Sequence, residues 1–302
     1  MRAIGFDLGG SKLLACLTEE DGTIVRRAVR PTGRATGPAE ACRLMLDAAE
    51  ELRHACGAFS VAGVGFPGQV DFPGGVARAS VMLDGWREVP LADQLADALG
   101  VPCVVDNDVN AAAVAELKQR EDEPPESMLF VAVGTGIGGA ITLGNRLWRG
   151  HTGVAGEIGN VTIDRHGSTC WCGRKGCLNT SASGAAIESQ LEPGVPLSQQ
   201  VQRGHPLLDL AIDQAAVALG IGIANALNLL NPALVVLGGG VAELGQAWLD
   251  KVAATARSEA FPEAGQCGFE LARAGYEAGS VGAALLAMEQ LKRSSLTQLS
   301  YR

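Results

Sequence analysis

Three cysteines lie within eight residues of one another near the middle of the chain. Cys170, Cys172 and Cys177 are interspersed with glycines, which allow the backbone to turn tightly. Clustered thiolates are typical zinc ligands, so this spacing predicts a structural zinc site. A tetrahedral site needs a fourth ligand, for which His166 and a water molecule are the candidates. A reduced cluster without metal is the alternative.

The sequence DLGGSK, near the start of the chain, has the residues of a phosphate-binding turn. Asp7 ends an apolar run and is followed by Gly9, Gly10, Ser11 and Lys12. Backbone N–H groups and a serine hydroxyl in such a turn can bind phosphate oxygens, and Asp7 can hold a magnesium ion through water. The alternative is an ordinary β-hairpin with a glycine turn.

A second glycine turn, GTGIGG, has the spacing of a dinucleotide fingerprint. That fingerprint requires a helix to follow, whereas the next residues, AITLG, predict a strand. We therefore expect a hairpin loop in which Gly134, Thr135 and Gly136 bind phosphate. A third run, LVVLGGG, predicts a strand after which Gly238 and Gly239 admit a flat ligand such as adenosine. A plain strand-to-helix turn is the alternative there.

Polar residues follow another short strand in the sequence VVDNDVNAA. Asn107 and Asp108 lie where this strand ends and a helix begins. A carboxylate at such a strand end is a natural general base for a hydroxyl group. Either residue could instead be the N-cap of the helix over 109–119.

Strand and helix patterns alternate along the chain, and they predict an α/β fold. The acidic, proline-containing segment 120–127 predicts a linker, after which a strand, a glycine turn and a second strand recur as they do at the start. We predict a smaller N-terminal domain, 1–118, and a larger domain, 119–284, that carries the cysteine cluster. A C-terminal helix of about 285–302 is expected to pack back on the first domain.

The composition narrows the classes of partner. The chain has 302 residues, 47% of them hydrophobic, and a net charge of −9. This charge argues against nucleic acid, because phosphate backbones are bound by clustered Lys and Arg. The sequence shows neither a signal peptide nor an apolar run suited to a bilayer, so we expect a cytoplasmic protein. Eight cysteines then suggest thiols or metal ligands.

Taken together, these motifs resemble the ROK family, which comprises repressors, open reading frames and sugar kinases. The resemblance runs in one consistent order over nearly the whole chain. It is carried by DLGGSK, VGFPGQVD, DNDVNAAAVAE, VGTGIGGA, AGEIG, CWCGRKGCL, NPALVVLGGGV and AGSVGAA. It implies the actin/hexokinase-like (ribonuclease H-like) fold, in which two α/β domains close over sugar and ATP across an interdomain cleft.

The resemblance also implies an activity, namely transfer of the γ-phosphate of ATP to a sugar hydroxyl, usually O6 of a hexose. Asp108 would be the general base, and Gly68, Asn107 and Glu157 would hold the sugar. Asp7 with Mg²⁺ and the glycine loops would neutralise the phosphates. Family members are often homodimers or homotetramers, so a homo-oligomer is expected.

Three positions depart from the family pattern. Met82, Asn160 and Asn179 stand where family members usually carry Asn, His and Glu. All three would shape the sugar pocket, so we predict a substrate other than plain glucose, such as another hexose, an amino sugar or a cyclitol. The alternatives are a glucokinase-like enzyme with a drifted pocket and a non-catalytic sugar-sensing protein of the same fold. The choice between ATP and polyphosphate as donor stays open.

Overall fold

The computed structural model describes residues 1–192 and 195–300 of the chain. The chain forms two compact units, each built from separate segments. The first unit contains Met1–Pro124, Arg149–Val154 and the segment that begins at Arg273, and the second contains Pro125–Trp148 and Ala155–Ala272. The domain boundaries given above stay a prediction, and residues 301–302 of the expected C-terminal helix lie outside the described residues.

Thirteen strands occur in the described chain. In chain order they are β1 (Arg2–Leu8), β2 (Lys12–Glu19), β3 (Ile24–Pro31), β4 (Val61–Phe66), β5 (Gln69–Asp71), β6 (Val76–Ala79), β7 (Arg87–Val89), β8 (Cys103–Asn107), β9 (Ser127–Val133), β10 (Ile137–Leu143), β11 (Arg146–Leu147), β12 (Leu234–Gly238) and β13 (Gly268–Leu271).

Nine α-helices connect and cover these strands in the described residues. They are α1 (Pro38–Cys56), α2 (Leu91–Leu99), α3 (Asp108–Lys118), α4 (Asn179–Ala182), α5 (Gly184–Ser189), α6 (Leu197–Arg203), α7 (Leu208–Leu230), α8 (Gln246–Glu259) and α9 (Ala278–Ser300). Short 3₁₀ turns occur at Ile158–Asn160, Gly240–Leu244 and Ala264–Gln266.

The main sheet of the first unit has the order β3-β2-β1-β4-β8. β1 and β2 form an antiparallel hairpin, whereas β4 pairs in parallel with both β1 and β8. The central strands are apolar on both faces because α1 and α2 share a core with them and α9 packs against β1 and β4. A second, three-stranded antiparallel sheet, β5-β6-β7, has no periodic signal in the sequence.

Helix α9 approaches the sheet of the first unit backbone to backbone. A Cβ atom on Gly5 would lie 1.8 Å from the carbonyl oxygen of Ser280, and one on Gly63 would lie 1.9 Å from that of Ala283. Both distances are far below any contact that a real side chain makes, so only glycine fits at Gly5 and Gly63. These two glycines let the helix cover β1 and β4 directly.

The sheet of the second unit has the order β11-β10-β9-β12-β13. Again an antiparallel hairpin, β9 and β10, is followed by parallel strands, β12 and β13. The internal repeat expected from the sequence is therefore confirmed, and the strand after GTGIGG is β10 rather than a helix. Among the described residues, only α7 is long and apolar enough to span a membrane, and it lies in the core of this unit.

Candidate functional site

The first glycine turn joins β1 to β2 and places Asp7 at the carboxyl end of β1. The N–H of Gly9 donates to the carbonyl oxygen of Lys12 at 2.8 Å, which closes the turn, and Ser11 is exposed. Protein surrounding the partly exposed carboxyl of Asp7 raises its pKa to about 6, although the Lys12 charge opposes this. A carboxylate so placed fits a hydrated magnesium ion, because a cation would offset the cost of its charge.

Met82 lies beside this turn. The side-chain oxygen of Ser80 accepts the N–H groups of Met82 and Leu83, each at 3.1 Å, and donates to the carbonyl oxygen of Pro67 at 2.7 Å. This fixes the loop, and the methyl carbon of Met82 lies 3.5 Å from where a Cβ of Gly10 would be. The Met82 thioether therefore packs on the glycine turn.

Asn107 and Asp108 stand at the junction of β8 and α3. The Asn107 side-chain oxygen accepts the N–H groups of Val109 and Asn110 at 2.9 and 3.1 Å, so Asn107 is the N-cap. Its Nδ2 donates to the carbonyl oxygen of Gly68 at 3.2 Å. Asp108 is the first residue of α3, and its Oδ1 also accepts the N–H of Val109 at 2.9 Å. The backbone at Asp108 is thus held by Asn107, which bonds both to the first turn of α3 and to Gly68.

Sequence reasoning missed Asp106, which is 2% exposed and organises this junction. One of its oxygens accepts from the Asn107 N–H at 2.7 Å and from Asn110 Nδ2 at 2.9 Å. The other accepts from two nitrogens of Arg149, at 2.8 and 2.6 Å. Arg149 also lies over the ring of Phe72, 3.6 Å from its centre. The acidic signal was present in the sequence DND, but its partner lies 43 residues away.

The second glycine turn, between β9 and β10, is tied to the segments around it. The N–H of Gly134 donates to Gly136 O, and that of Gly184 to Gly134 O, both at 2.8 Å. The ring of Trp171 lies against Gly136, since a Cβ there would be 3.1 Å from a ring carbon. These contacts hold the loop against the start of α5 and against the cysteine segment.

A cavity of about 480 Å³ opens beside this turn within the second unit. Gly134, Thr135, Gly184, Gly240 and Val241 form part of its wall. Its further lining comes from α5, from Pro196 and α6, and from the 3₁₀ turn Gly240–Leu244. Sequence reasoning missed α5 and α6 because such short helices have no clear period. A pocket of this size accommodates a small ligand.

Gly238 and Gly239 stand immediately before the cavity residue Gly240. Gly239 has a φ of +85°, and a Cβ there would lie 2.5 Å from the carbonyl oxygen of Val133. Glycine is therefore required to bring β12 past β9 at this point.

The predicted sugar residues of the second unit form one hydrogen-bonded group. Asn160 Nδ2 donates to Glu157 Oε2 at 2.9 Å, and Asn179 Nδ2 donates to Asn160 Oδ1 at 3.3 Å. Asn179 Oδ1 in turn accepts the N–H of Ile137 at 2.7 Å. The surrounding protein desolvates the Glu157 carboxyl and raises its pKa, although part of the residue reaches solvent. The hydrogen bond from Asn160 partly opposes this rise.

The three cysteines converge. Their sulfur atoms lie within 4.8 Å of one another, and those of Cys172 and Cys177 are 3.5 Å apart. A Cβ on Gly176 would lie 1.4 Å from the carbonyl oxygen of Asp164, so the loop needs glycine there. In the described ranges 1–192 and 195–300, this group contains no histidine or carboxylate, so His166 does not join it.

The cysteine cluster is compatible with a bound metal ion. The N–H and side chain of Arg174 lower the pKa of the Cys172 thiol to about 6, whereas burial raises that of Cys177 to about 12. A dicationic ion would stabilise the thiolate form of both sulfurs. Three sulfurs at this spacing fit zinc with one further ligand.

Comparison with known families identifies the chain. A model of the ROK family matches residues 3–290, which is nearly its whole length. The chain belongs to the ROK family. This confirms the family expected from the eight motifs.

Relatives in the ROK family have differing names. A glucokinase of Halalkalibacterium halodurans is 32% identical, with 95% of each chain covered. An N-acetylmannosamine kinase of Yersinia pseudotuberculosis is also 32% identical, over 96% of this chain and 99% of the relative. Similar relatives are thus named for two different sugars.

A solved ROK structure has the same fold. The ROK family glucokinase of Streptomyces griseus, in complex with glucose and AMPPNP, superposes with a TM-score of 0.84. It is 28% identical and covers 96% of this chain and 100% of its own. The predicted actin/hexokinase-like α/β fold is confirmed for this ROK protein.

Proposed function

We propose that this ROK protein is an ATP-dependent sugar kinase that transfers the γ-phosphate to a hydroxyl group, O6 of a hexose, amino sugar or sugar-like cyclitol. The observation that carries the proposal is the position of Asp108. It is the first residue of α3, directly after an asparagine cap whose amide is tied to Gly68. A general base needs such fixed placement to meet a hydroxyl at hydrogen-bond distance.

In this mechanism Asp108 accepts the proton of the sugar hydroxyl while that oxygen attacks the γ-phosphorus. The bond from phosphorus to the bridging oxygen of the donor then breaks, and ADP leaves. Glu157 orients the sugar by accepting hydrogen bonds from its hydroxyl groups. The residues that we propose to shape sugar binding are Gly68, Met82, Asn107, Asp108, Glu157, Asn160 and Asn179.

The glycine loops bind the nucleotide in this proposal. The N–H groups of Gly9 and Gly134 close their own turns, so the other N–H groups of the loops would donate to phosphate oxygens. The cavity beside Gly134 and Thr135 would receive the remainder of the nucleotide. Asp7 would hold Mg²⁺ through water, and the ion, when bound, supplies neutralisation of phosphate charge. The proposed phosphate and nucleotide residues are Asp7, Gly9, Gly10, Ser11, Lys12, Gly134, Thr135, Gly136, Gly238 and Gly239.

Zinc has a structural role in this proposal. Cys170, Cys172 and Cys177 would hold it, with water as fourth ligand, and the loop between them presents Trp171 to Gly136. By resemblance we also expect a cytoplasmic homodimer or homotetramer. Light scattering on the purified protein would measure its mass in solution and so test the assembly.

The substrate is tested by coupled ADP release across glucose, other hexoses, amino sugars and cyclitols. Met82, Asn160 and Asn179 lead us to expect a kcat/KM for one of the others above that for glucose. A maximum for glucose would favour a drifted glucokinase instead. Measurable sugar binding with no turnover on any substrate or donor would point to a sugar sensor.

The general base is tested by Asp108→Asn. We expect kcat to fall by about 10²- to 10⁴-fold with sugar binding nearly unchanged. Asp93→Asn is the matched control, since Asp93 also stands in the first turn of a helix of this unit and is exposed. Activity that survives Asp108→Asn would remove Asp108 from the mechanism.

A further inference from the structure

The amides of Asn179 and Asn160 form a chain of hydrogen bonds, here called the relay, that runs from the Ile137 N–H to the Glu157 carboxylate. Each donor and acceptor along it has a fixed direction. At one end stands the backbone N–H of Ile137, which can only donate, so Asn179 presents its oxygen there. Its nitrogen therefore faces Asn160, which accepts with its own oxygen. The nitrogen of Asn160 then faces the Glu157 carboxylate, which can only accept when ionised.

The Asn179 amide is also held in place by its surroundings. The residue is 4% exposed, at the start of α4. A Cβ on Gly159 would lie 2.5 Å from its nitrogen, and one on Gly136 would lie 3.4 Å from its oxygen. With glycines on two sides and both polar atoms engaged, the amide is held in one orientation.

We propose that Asn179 is a positioning residue that orients Glu157 for the sugar by acting through Asn160. This inference rests on the proposed function, because it concerns how the sugar is held. Asn179 is 4% exposed, its oxygen accepts from Ile137 and its nitrogen donates to Asn160, so it can act on Glu157 without touching the sugar. The relay leaves Glu157 Oε1 to receive the substrate while Oε2 accepts from Asn160.

Replacement of Asn179 by aspartate reverses the relay without removing its first bond. The Asp oxygen still accepts the Ile137 N–H, but no donor remains for Asn160. The Asn160 amide then turns its nitrogen toward the new carboxylate, and its oxygen faces Glu157. Two acceptors in contact repel, so Glu157 loses both its hydrogen bond and its orientation.

The test is a double-mutant cycle of Asn179→Asp and Asn160→Ala, measured with the best sugar of the panel. In the otherwise natural chain, Asn179→Asp should raise the KM for sugar about tenfold, as expected for one lost charge-assisted hydrogen bond. The KM for ATP and kcat should change by less than about twofold. In the Asn160→Ala background, Asn179→Asp should add less than about twofold, because the relay is already broken.

Asn228→Asp is the matched control. Asn228 belongs to the same unit, and its side-chain oxygen likewise accepts a backbone N–H, from Phe261 at 2.7 Å. It should leave all kinetic constants unchanged. If Asn179→Asp does not fold, Asn160→Asp tests the other end, because it keeps the acceptor for Asn179 but loses the donor to Glu157.

Three outcomes would overturn the proposal. An equal rise in sugar KM in both backgrounds means that Asn179 contacts the sugar itself. If only the KM for ATP rises, Asn179 acts on the glycine loop and not on Glu157. If the sugar KM of Asn179→Asp is unchanged, the relay does not orient Glu157. Calorimetric measurement of sugar binding by the natural protein tests the proposed function separately. A protein that binds no sugar of the panel is not the kinase proposed above, whatever the Asn179 variants show.

Discussion

Asp7→Asn should make the nucleotide-free protein more stable at neutral and alkaline pH. The pKa of Asp7 is raised from 3.8 to about 6 in the folded protein because burial penalises the charged form. The folded state therefore binds a proton more tightly than the unfolded chain does. Stability contributed by this group is present at low pH and is lost as pH rises from about 4 to about 6.

The magnitude follows from the two pKa values. At 1.36 kcal/mol for each pH unit, ionised Asp7 would destabilise the fold by up to about 3 kcal/mol above pH 6. Because the side chain is partly exposed, solvent screening reduces this to roughly 1–2 kcal/mol. Asparagine has nearly the same shape without the charge. It should therefore raise the free energy of unfolding by that amount at about pH 8 and by well under half of it at about pH 4.

Chemical denaturation followed by circular dichroism, in magnesium-free and nucleotide-free buffer, measures the difference between variant and natural protein at each pH. Asp71→Asn is the control with the opposite sign, because Arg78 lowers the pKa of Asp71 and the ionised form is stabilising there. Under the proposed function, Asp7→Asn also loses ATP-dependent turnover. A variant that is equally or less stable than the natural protein at pH 8, or a difference independent of pH, would refute the reasoning.

Two more predictions concern the cysteine cluster and the ion pair of Arg149 with Asp106. Elemental analysis should find about one zinc per chain, and chelation should lower the melting temperature. Cys177→Ser should abolish zinc binding, while Cys267→Ser, outside the cluster, should not. Zinc-free protein of unchanged melting temperature would contradict this. Arg149→Gln should lower the free energy of unfolding by about 2–4 kcal/mol because buried Asp106 is left without its cation, whereas Arg34→Gln, in an exposed pair, should cost less than about 0.5 kcal/mol. Equal effects in denaturation would contradict it.

Local signals in the sequence predicted the regular elements well. The apolar stripe over 38–56 predicts a helix, the apolar run 61–66 predicts a strand, and Gly100 with Pro102 predicts that a helix over 91–99 ends there. The structure has α1, β4 and α2 with these bounds. The strand after GTGIGG was predicted because no helix pattern follows it, and β10 confirms the hairpin. These features depend on neighbouring residues, which is why one sequence sufficed.

Contacts between distant segments could not be predicted in the same way. Arg149 meets Asp106 only because the chain returns to the first unit over Arg149–Val154. Asn179 meets Ile137 across 42 positions, through a register that side-chain packing decides. The strands β5 to β7 have three or four residues each, too few to show a period.

The Asn107 alternatives illustrate the limit at the candidate site. Sequence reasoning offered a sugar ligand or a helix cap, and the structure shows the cap. A capping side chain bonds to backbone groups two or three residues away, so a cap can be predicted from local sequence. Whether Asn107 also contacts sugar, and whether Asp108 is the base, stay predictions that the variants above address.

The order in which the ribosome makes the segments gives α9 a further consequence. The second unit is complete once residue 272 has emerged, whereas the first unit still lacks the helix that covers β1 and β4 at Gly5 and Gly63. The N-terminal strands, although synthesised first, must wait with an apolar face uncovered until the last helix arrives. We therefore expect the nascent chain to mature from its middle outward, and release before α9 is made would expose the first sheet to chaperones and proteases.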